Sequence, residues 1–250
     1  MLLTMAKDWN GNKEWAGAEA VLMFNTDMTE PDLGYGEYLV TAELVSPPAA
    51  TWADYDPNVA FGLFTFERPA TGTDKNPARE IDLAEISRWG WNQKSPVDCP
   101  IRGKLGEFDK DILCHGNAQF ALQVYTEKVG MVKRYDVGSF GLVGGDVPIK
   151  EITLVMTWKP GEVTFEKYHG AWTFANLPAK PDFTWTTPTT GDASLKDFVP
   201  EPRCERFHIN LWLGNYIGKA PFAPHDGPTN NQSVGVLIKN FEYTKARPPK

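Results

Sequence analysis

Apolar and polar residues alternate along much of the chain with a period of two, which predicts strands buried on one face. Over residues 35–45 the apolar face would carry Tyr38, Val40, Ala42 and Leu44. Residues 151–170 alternate on both sides of Pro160-Gly161, a dipeptide typical of a tight turn, and predict a β-hairpin. Further strands are predicted over residues 58–67, 117–127, 206–215 and 233–243.

Loops rich in glycine, proline, aspartate and threonine separate these segments, and none of them sustains the 3.6-residue period of an amphipathic helix. The combination predicts an all-β fold, a two-sheet antiparallel β sandwich. The chain has 250 residues, with no internal repeat and no dividing linker. We therefore expect one domain over residues 1–250.

The charge balance and the hydropathy exclude two classes of partner. Lys and Arg number 25 against 32 Asp and Glu, a net charge of −7, and no basic run could follow a phosphate backbone. We therefore expect no nucleic-acid partner. No stretch approaches the roughly 18 consecutive apolar residues of a membrane span. The opening residues lack the features of a complete secretory signal, which leaves the compartment open on this ground.

Three cysteines, Cys99, Cys114 and Cys204, are too few for a fold built on disulfides. Whether Cys99 and Cys114 pair depends on a geometry that the sequence does not supply. The sequence contains neither C-x-x-C nor H-E-x-x-H, so it predicts neither a catalytic metal nor a redox dithiol.

The densest chemistry lies in AREIDLAEISRWGW, residues 78–91, where Glu80, Asp82 and Glu85 stand close together. A helix with an exposed acidic face is one interpretation, because Ala, Glu and Leu favour helices. The neighbouring segments alternate as strands, and this context favours a strand. On a regular strand Glu80 and Asp82 share a face, whereas Glu85 is one residue out of step.

A β-bulge that inserts one residue near Leu83-Ala84 would bring Glu85 onto the face of the other two acids. Such crowding raises the pKa of at least one carboxyl, because like charges oppose one another's ionisation. Retaining glycosidases use a pair of this kind, with one carboxylate as nucleophile and one protonated carboxyl as acid, about 5–5.5 Å apart. The sequence therefore predicts a bulged strand with three acids on one concave surface.

The segment EIDLAE, residues 80–85, resembles the E-x-D-x-x-E signature of glycoside hydrolase family 16. Members of this family are retaining endo-β-glucanases and relatives with a concanavalin-like jelly roll. The segment FHINLWLGN, residues 207–215, is similar to the family's Asn-Leu-Trp strand. The resemblance extends in the family's order over residues 35–244. The chain departs from the family at Ala78-Arg79, where members often carry Trp or Gly, and this leaves the substrate subclass open.

The resemblance implies Glu80 as nucleophile, Glu85 as general acid/base and Asp82 as the intervening acid that tunes the pair. It also implies Asn210 and Trp212 as sugar contacts. Catalysis in the family needs no cofactor. A structural calcium ion on the convex side is compatible with the family, although no acidic ligand loop in the sequence identifies one.

Further residues are candidates for substrate binding. Nine tryptophans are many for this length, and core packing is expected for most of them. Trp89, like Trp91 and Trp212, adjoins polar residues and is a candidate for stacking on a sugar ring. Gln119 could bond a sugar hydroxyl or a carboxylate if residues 117–127 form the strand beside the acids, while a satisfied interior amide is equally compatible.

We expect a hydrolase that cleaves a β-1,3- or β-1,3/1,4-glucan along an open cleft. We also expect a monomer that binds no membrane and is secreted or periplasmic. The alternative is a non-catalytic, lectin-like carbohydrate-binding protein, although a pure binder has no need for two repelling carboxylates in register. A transglycosylase would use the same residues and differ only in whether a sugar or water resolves the intermediate.

Overall fold

The structure is a computed structural model. At Gln119, Thr187 and residues 131–135 it describes the backbone but not the side chains. Trp89, Trp91 and the three cysteines lie outside the described residues, so the predictions made for them stay predictions. The structure describes residues 1–7, 15–22, 33–48, 51–52, 55–56, 58–67, 76, 79–86, 118–122, 131–135, 149–187, 196, 198–203, 205–213, 227–228 and 231–246.

Strands dominate the described part of the chain. In chain order they are β1 (Leu2–Lys7), β2 (Trp15–Ala16), β3 (Ala18–Leu22), β4 (Gly36–Ser46), β5 (Val59–Phe66), β6 (Ile81–Ile86), β7 (Ala118–Leu122), β8 (Met131–Tyr135), β9 (Glu151–Lys159), β10 (Glu162–His169), β11 (Phe183–Thr187), β12 (Arg206–Leu213) and β13 (Val234–Lys245). These strands form two sheets. A seven-stranded sheet has the order β11-β10-β9-β4-β13-β1-β2, and a six-stranded sheet has the order β3-β12-β5-β6-β7-β8.

The two sheets enclose one apolar core, to which strands of both contribute. Aromatic rings join the sheets across it. Phe120 of β7 stacks on Phe165 of β10 with ring centroids 4.9 Å apart, and Tyr38 of β4 stacks on Phe207 of β12 at 5.8 Å. The predicted class, a two-sheet antiparallel β sandwich, is therefore confirmed.

Alternation located the strands that carry the core. All four apolar residues predicted on β4 lie in the core cluster. The hairpin at residues 151–170 is present, with Lys159 opposite Glu162 across the turn and Trp158 buried. The helix interpretation of residues 80–85 is wrong, because Ile81–Ile86 is strand β6. In the part of the chain that the structure describes, no helix is long and apolar enough to cross a membrane.

Five strands were not predicted: β1, β2, β3, β8 and β11. Each has six or fewer residues, and β2 has only two. The outermost positions of both sheets, β11 and β2 in one and β3 and β8 in the other, belong to this group. An edge strand is held mainly by its single neighbour, so its own sequence carries a weaker alternation signal.

Gly161 in the β9–β10 turn has a φ of 69°, a conformation that residues with a Cβ adopt at a cost. A Cβ built there meets only ordinary contacts, at 3.6 Å from Lys196. We therefore expect Gly161→Ala to lower the free energy of unfolding by about 1 kcal/mol. Gly161→Asn should cost less, because Asn tolerates left-handed conformations. Urea unfolding measures both, and equal stability of the Ala variant and the wild type would contradict the turn geometry.

Candidate active site

Strand β6 contains a β-bulge that is visible in its pairing with both neighbouring strands. Against β5, Ala84 lies opposite Leu63 and Asp82 lies opposite the next residue, Phe64, so that Leu83 has no partner. Against β7, the pairing shifts between Asp82 and Glu85. The structure thus contains one extra residue at the position that the acidic pattern predicted.

The bulge separates the side chains of β6 into an apolar and an acidic set. The apolar set lies in the core cluster and comprises Ile81, Leu83, Ala84 and Ile86. Asp82 pairs with Phe64 and Glu85 with Gly62, and these positions alternate with the core residues of β5. Glu80 directly precedes β6 and alternates with the core residue Ile81. The face of the six-stranded sheet that carries the three acids is called the site face below.

Two of the three acids are buried although they lie on the face turned away from the core. Glu80 is 9% exposed and Asp82 is 4% exposed, whereas Glu85 is half-buried. Removing carboxylates from water is costly unless they are paired, hydrogen-bonded or protonated. The site is therefore an enclosed acidic cluster rather than a solvated acidic edge.

The backbone of Glu80 is fixed by one buried side chain, that of Asn76. The amide oxygen of Asn76 accepts a hydrogen bond from the Glu80 N–H at 3.2 Å, and its amide nitrogen donates to the Glu80 carbonyl at 3.0 Å. The next residue is held as well, because the Ile81 N–H donates to the Thr65 hydroxyl at 3.2 Å. These contacts set the position at which the Glu80 side chain enters the site.

Arg79, the residue before Glu80, is buried and has a φ of 52°, in the left-handed region that favours glycine. Its Nε donates to a carboxylate oxygen of Glu67 at 2.7 Å, and its Nη1 donates to the Glu201 carbonyl. Arg203 Nη2 also lies 3.8 Å from Glu67 Oε1. The residue directly before Glu80 is thus a buried cation that is paired with Glu67.

A further buried carboxylate, that of Glu205, lies within electrostatic reach of Arg79. Burial raises the pKa of Glu205, while hydrogen bonds from the backbone N–H groups of Arg203 and Glu205 and the Arg79 charge act in the opposite direction. Arg79 therefore compensates acidic groups at the end of β5 and at the start of β12, in addition to standing beside Glu80.

Strands β5 and β12 form the floor of the site next to β6. Gly62 lies opposite Glu85 on one side and opposite Asn210 on the other. A Cβ at residue 62 would collide with Asn210 Oδ1. Trp212, half-buried, follows Asn210 on the same face. The structure thus brings Asn210 and Trp212 of the predicted Asn-Leu-Trp strand onto the site face. Asn210 lies in the same row of the sheet as Glu85, and Trp212 lies in the next row on that face.

An aromatic wall borders this floor. Phe64, opposite Asp82, stacks on the His208 imidazole with ring centroids 5.0 Å apart and an angle of 13°. Phe66 meets the same imidazole edge to face at 6.0 Å. His208 Nδ1 lies 2.8 Å from Glu19 Oε1, which holds the imidazole in place.

Sequence reasoning placed some of these residues and missed others. Gln119 stands opposite Glu85 in the backbone register of β7, as predicted for a strand beside the acids. Trp89 lies outside the described residues. His208 was missed, although its spacing of two from Asn210 already placed it on the same face. Asn76 and Arg79 were missed because their contacts depend on a turn that no periodic pattern reveals.

A search of solved structures finds a prokaryotic β-1,3-1,4-glucanase (lichenase) derived from a mouse hindgut metagenome. The match has a TM-score of 0.51 and 16% identity and covers 98% of this chain and 79% of that chain. This chain has the lichenase fold. The predicted resemblance is therefore confirmed at the level of the fold.

Two further matches have lower TM-scores. One belongs to the endo-acting O-glycanases of the human gut microbiota. It has a TM-score of 0.47 and 12% identity and covers 95% of this chain and 76% of that chain. The other, a pseudo β-1,3-glucanase of Mycobacterium tuberculosis, has a TM-score of 0.46 and 14% identity over 94% and 71%. No protein-family model matches the sequence, and no curated protein matches it significantly.

The sequence resemblance was compatible with a structural calcium ion on the convex side, and the described side chains can be compared with the donors that such an ion needs. Among the described residues, no group of three or more His, Cys, Asp or Glu side chains is arranged to hold a metal ion. The described side chains therefore do not fit a carboxylate-based calcium site. No step of the chemistry below involves a metal.

Arg79 provides a test of the buried ion pair. We expect Arg79→Ala to lower the free energy of unfolding by about 3–5 kcal/mol, because it leaves the Glu67 carboxylate buried with only the more distant Arg203. Arg79→Gly loses the same contacts but suits a φ of 52°, so it should be about 1 kcal/mol more stable than Arg79→Ala. Denaturant unfolding of the two variants measures this difference. An Ala variant as stable as the Gly variant would argue against the left-handed backbone.

Proposed function

We propose that the protein is a retaining, endo-acting glycoside hydrolase that cleaves a β-linked polysaccharide, most specifically a β-1,3- or β-1,3/1,4-glucan. The observation that carries this proposal is the bulge at Leu83, which returns Glu85 to the face of Glu80 and Asp82. Without the extra residue, strand parity would direct Glu85 into the core. A chain that only bound sugars would have no need to hold three mutually repelling acids, two of them buried, on one face.

In the proposed first step, a Glu80 carboxylate oxygen attacks the anomeric carbon while Glu85 donates its proton to the departing glycosidic oxygen. The bond from the anomeric carbon to that oxygen breaks, and a glycosyl ester of Glu80 forms. In the second step Glu85, now ionised, removes a proton from water, and the water oxygen displaces the Glu80 carboxylate. Two inversions give net retention.

The surroundings of the two glutamates support this division of roles. Glu80 is held through its backbone by Asn76, which fixes the point from which a nucleophilic carboxylate would reach the anomeric carbon. Glu85 is half-buried, as suits a group that must accept and return a proton. Asp82, between them on the same face, adds a charge that opposes ionisation of both.

We propose that Trp212 and Asn210 contact the sugar rings, with Trp89 and Gln119 as further contacts. A flat apolar ring packs against the C–H face of a sugar, and an amide bonds its hydroxyls. The partner we propose is thus the polysaccharide itself, bound by a monomer. A polymer of this size is met outside the cytoplasm, which favours a secreted or periplasmic protein.

The test is hydrolysis of laminarin, mixed-linkage glucan, xyloglucan, agarose and carrageenan by the wild type and by Glu80→Gln and Glu85→Gln. We expect cleavage of laminarin or mixed-linkage glucan, with kcat lowered at least about 10³-fold in each variant. Glu162→Gln, on the exposed β9–β10 hairpin, is the matched control and should retain full activity. A fully active Glu80→Gln variant would exclude Glu80 as nucleophile.

An aryl glycoside with a good leaving group separates the two roles. Its departure needs no proton, so Glu85→Ala should still form the glycosyl-enzyme, and added azide should restore turnover with retained configuration. Glu80→Ala should form no such intermediate. Binding without cleavage of any polymer by a folded wild type would favour the lectin-like alternative. Longer glucans among the products would favour transglycosylation.

A further inference from the structure

The site face has a gap in its side chains at Gly62, and an amide oxygen fills it. Gly62 lies between Glu85 of β6 and Asn210 of β12 in the same row of the sheet. Asn210 Oδ1 occupies the space that a Cβ of residue 62 would need, and Asn210 Cγ lies 3.4 Å from that position. The Asn210 side chain therefore extends over β5 towards β6.

This oxygen is buried and accepts no hydrogen bond. A buried acceptor without a donor is costly, and most such groups in proteins are satisfied. Asn210 Oδ1 consequently requires a donor that is part of the protein or enclosed with it, because bulk water does not reach it. The donor must lie close to Gly62.

Glu85 is the group best placed to supply that donor. Directly opposite residues on antiparallel strands have Cβ atoms about 4.5–5.5 Å apart, so the Glu85 Cβ adjoins the space that Asn210 Oδ1 fills. An ionised carboxylate only accepts hydrogen bonds, but a protonated one donates. A single proton on Glu85 would therefore satisfy the orphaned oxygen.

The other charged groups on the neighbouring strands are acids, are already paired, or are placed by backbone register alone. Glu80 and Asp82 share β6 with Glu85 and are acids as well. On β12 and β3, His208 is bonded to Glu19. On β5 the positions of this face are apolar or glycine. On β7 and β8, Gln119 and Arg134 are in register with Glu85 and with each other.

We propose that Asn210 Oδ1 accepts a hydrogen bond from the protonated Glu85 carboxyl across Gly62, which makes Asn210 a positioning residue for the general acid. This inference rests on the proposed function in calling Glu85 the acid. The bond exists only while Glu85 carries its proton, so it favours the protonated form before cleavage and orients the proton. Gly62 is the position that permits it, since any larger residue would displace the amide.

The test is a titration of the free protein, which needs no substrate. Carbon-13 NMR of labelled glutamate carboxyls measures the pH at the midpoint of the Glu85 titration. The Glu85 signal is assigned by its loss in Glu85→Gln. We expect Asn210→Ala to lower this midpoint by about 0.5–1 pH unit, because the protonated form loses its acceptor. Asn210→Asp should raise the midpoint by at least a similar amount, because it places a like charge beside Glu85.

Gly62→Ala tests the same contact without changing either partner. It should lower the Glu85 midpoint as Asn210→Ala does, and the double variant should shift it no further than either single change. Asn240→Ala, on β13 of the other sheet, is the matched control and should leave the midpoint unchanged. Additive shifts, or a Glu85 midpoint that ignores both Asn210 variants, would overturn the inference.

The opposite sign is also decisive. A higher midpoint in Asn210→Ala would mean that the amide nitrogen faces Glu85 and stabilises its ionised form, which contradicts the proposal. Activity is read separately, as the pH profile of kcat/KM on the best polysaccharide. The basic limb of this pH profile should shift in the same direction as the midpoint of the Glu85 titration. Absence of hydrolysis with the expected NMR shifts would remove the proposed function and leave the Asn210–Glu85 contact standing.

Discussion

The alternation of side chains along a β-strand is the constraint on which this site depends. A strand alternates its side chains strictly between its faces, so acids at positions 80, 82 and 85 cannot share a face on a regular strand. One unpaired residue, Leu83, removes the conflict. It also permits two adjacent residues, Leu83 and Ala84, to pack into the core. The same local irregularity therefore completes the core and assembles the acidic cluster.

The chain around the buried acids is held tightly through its backbone and through a neighbouring ion pair. Asn76 bonds both the N–H and the carbonyl of Glu80, and Arg79, the residue before it, pairs with the buried Glu67 carboxylate. The left-handed backbone of Arg79 is the strained element in this arrangement. Strain of this kind persists where neighbouring contacts over-determine the conformation, and it is common beside functional groups.

The sequence predicted those parts of the fold that are encoded by local periodicity. Strand β4, the β9–β10 hairpin and the bulge in β6 all follow from the spacing of residues within one segment. The row formed by Glu85, Gly62 and Asn210 could not be predicted in this way. Its members are distant in sequence, and their register is set by the pairing of three strands. The left-handed φ of Arg79 was hidden for another reason, because Arg gives no signal of it.

The ion pairs around Glu67 have a consequence for how the protein loses its structure. Glu67 directly follows β5, Arg79 leads into β6, and Glu201 and Arg203 precede β12. These contacts therefore join three adjacent strands at one end. If one strand frayed from that end, the charged side chains at the ends of the other two would lose their ionic partners. We therefore expect the three strands to open as one cooperative unit, with amide protons that exchange together rather than strand by strand.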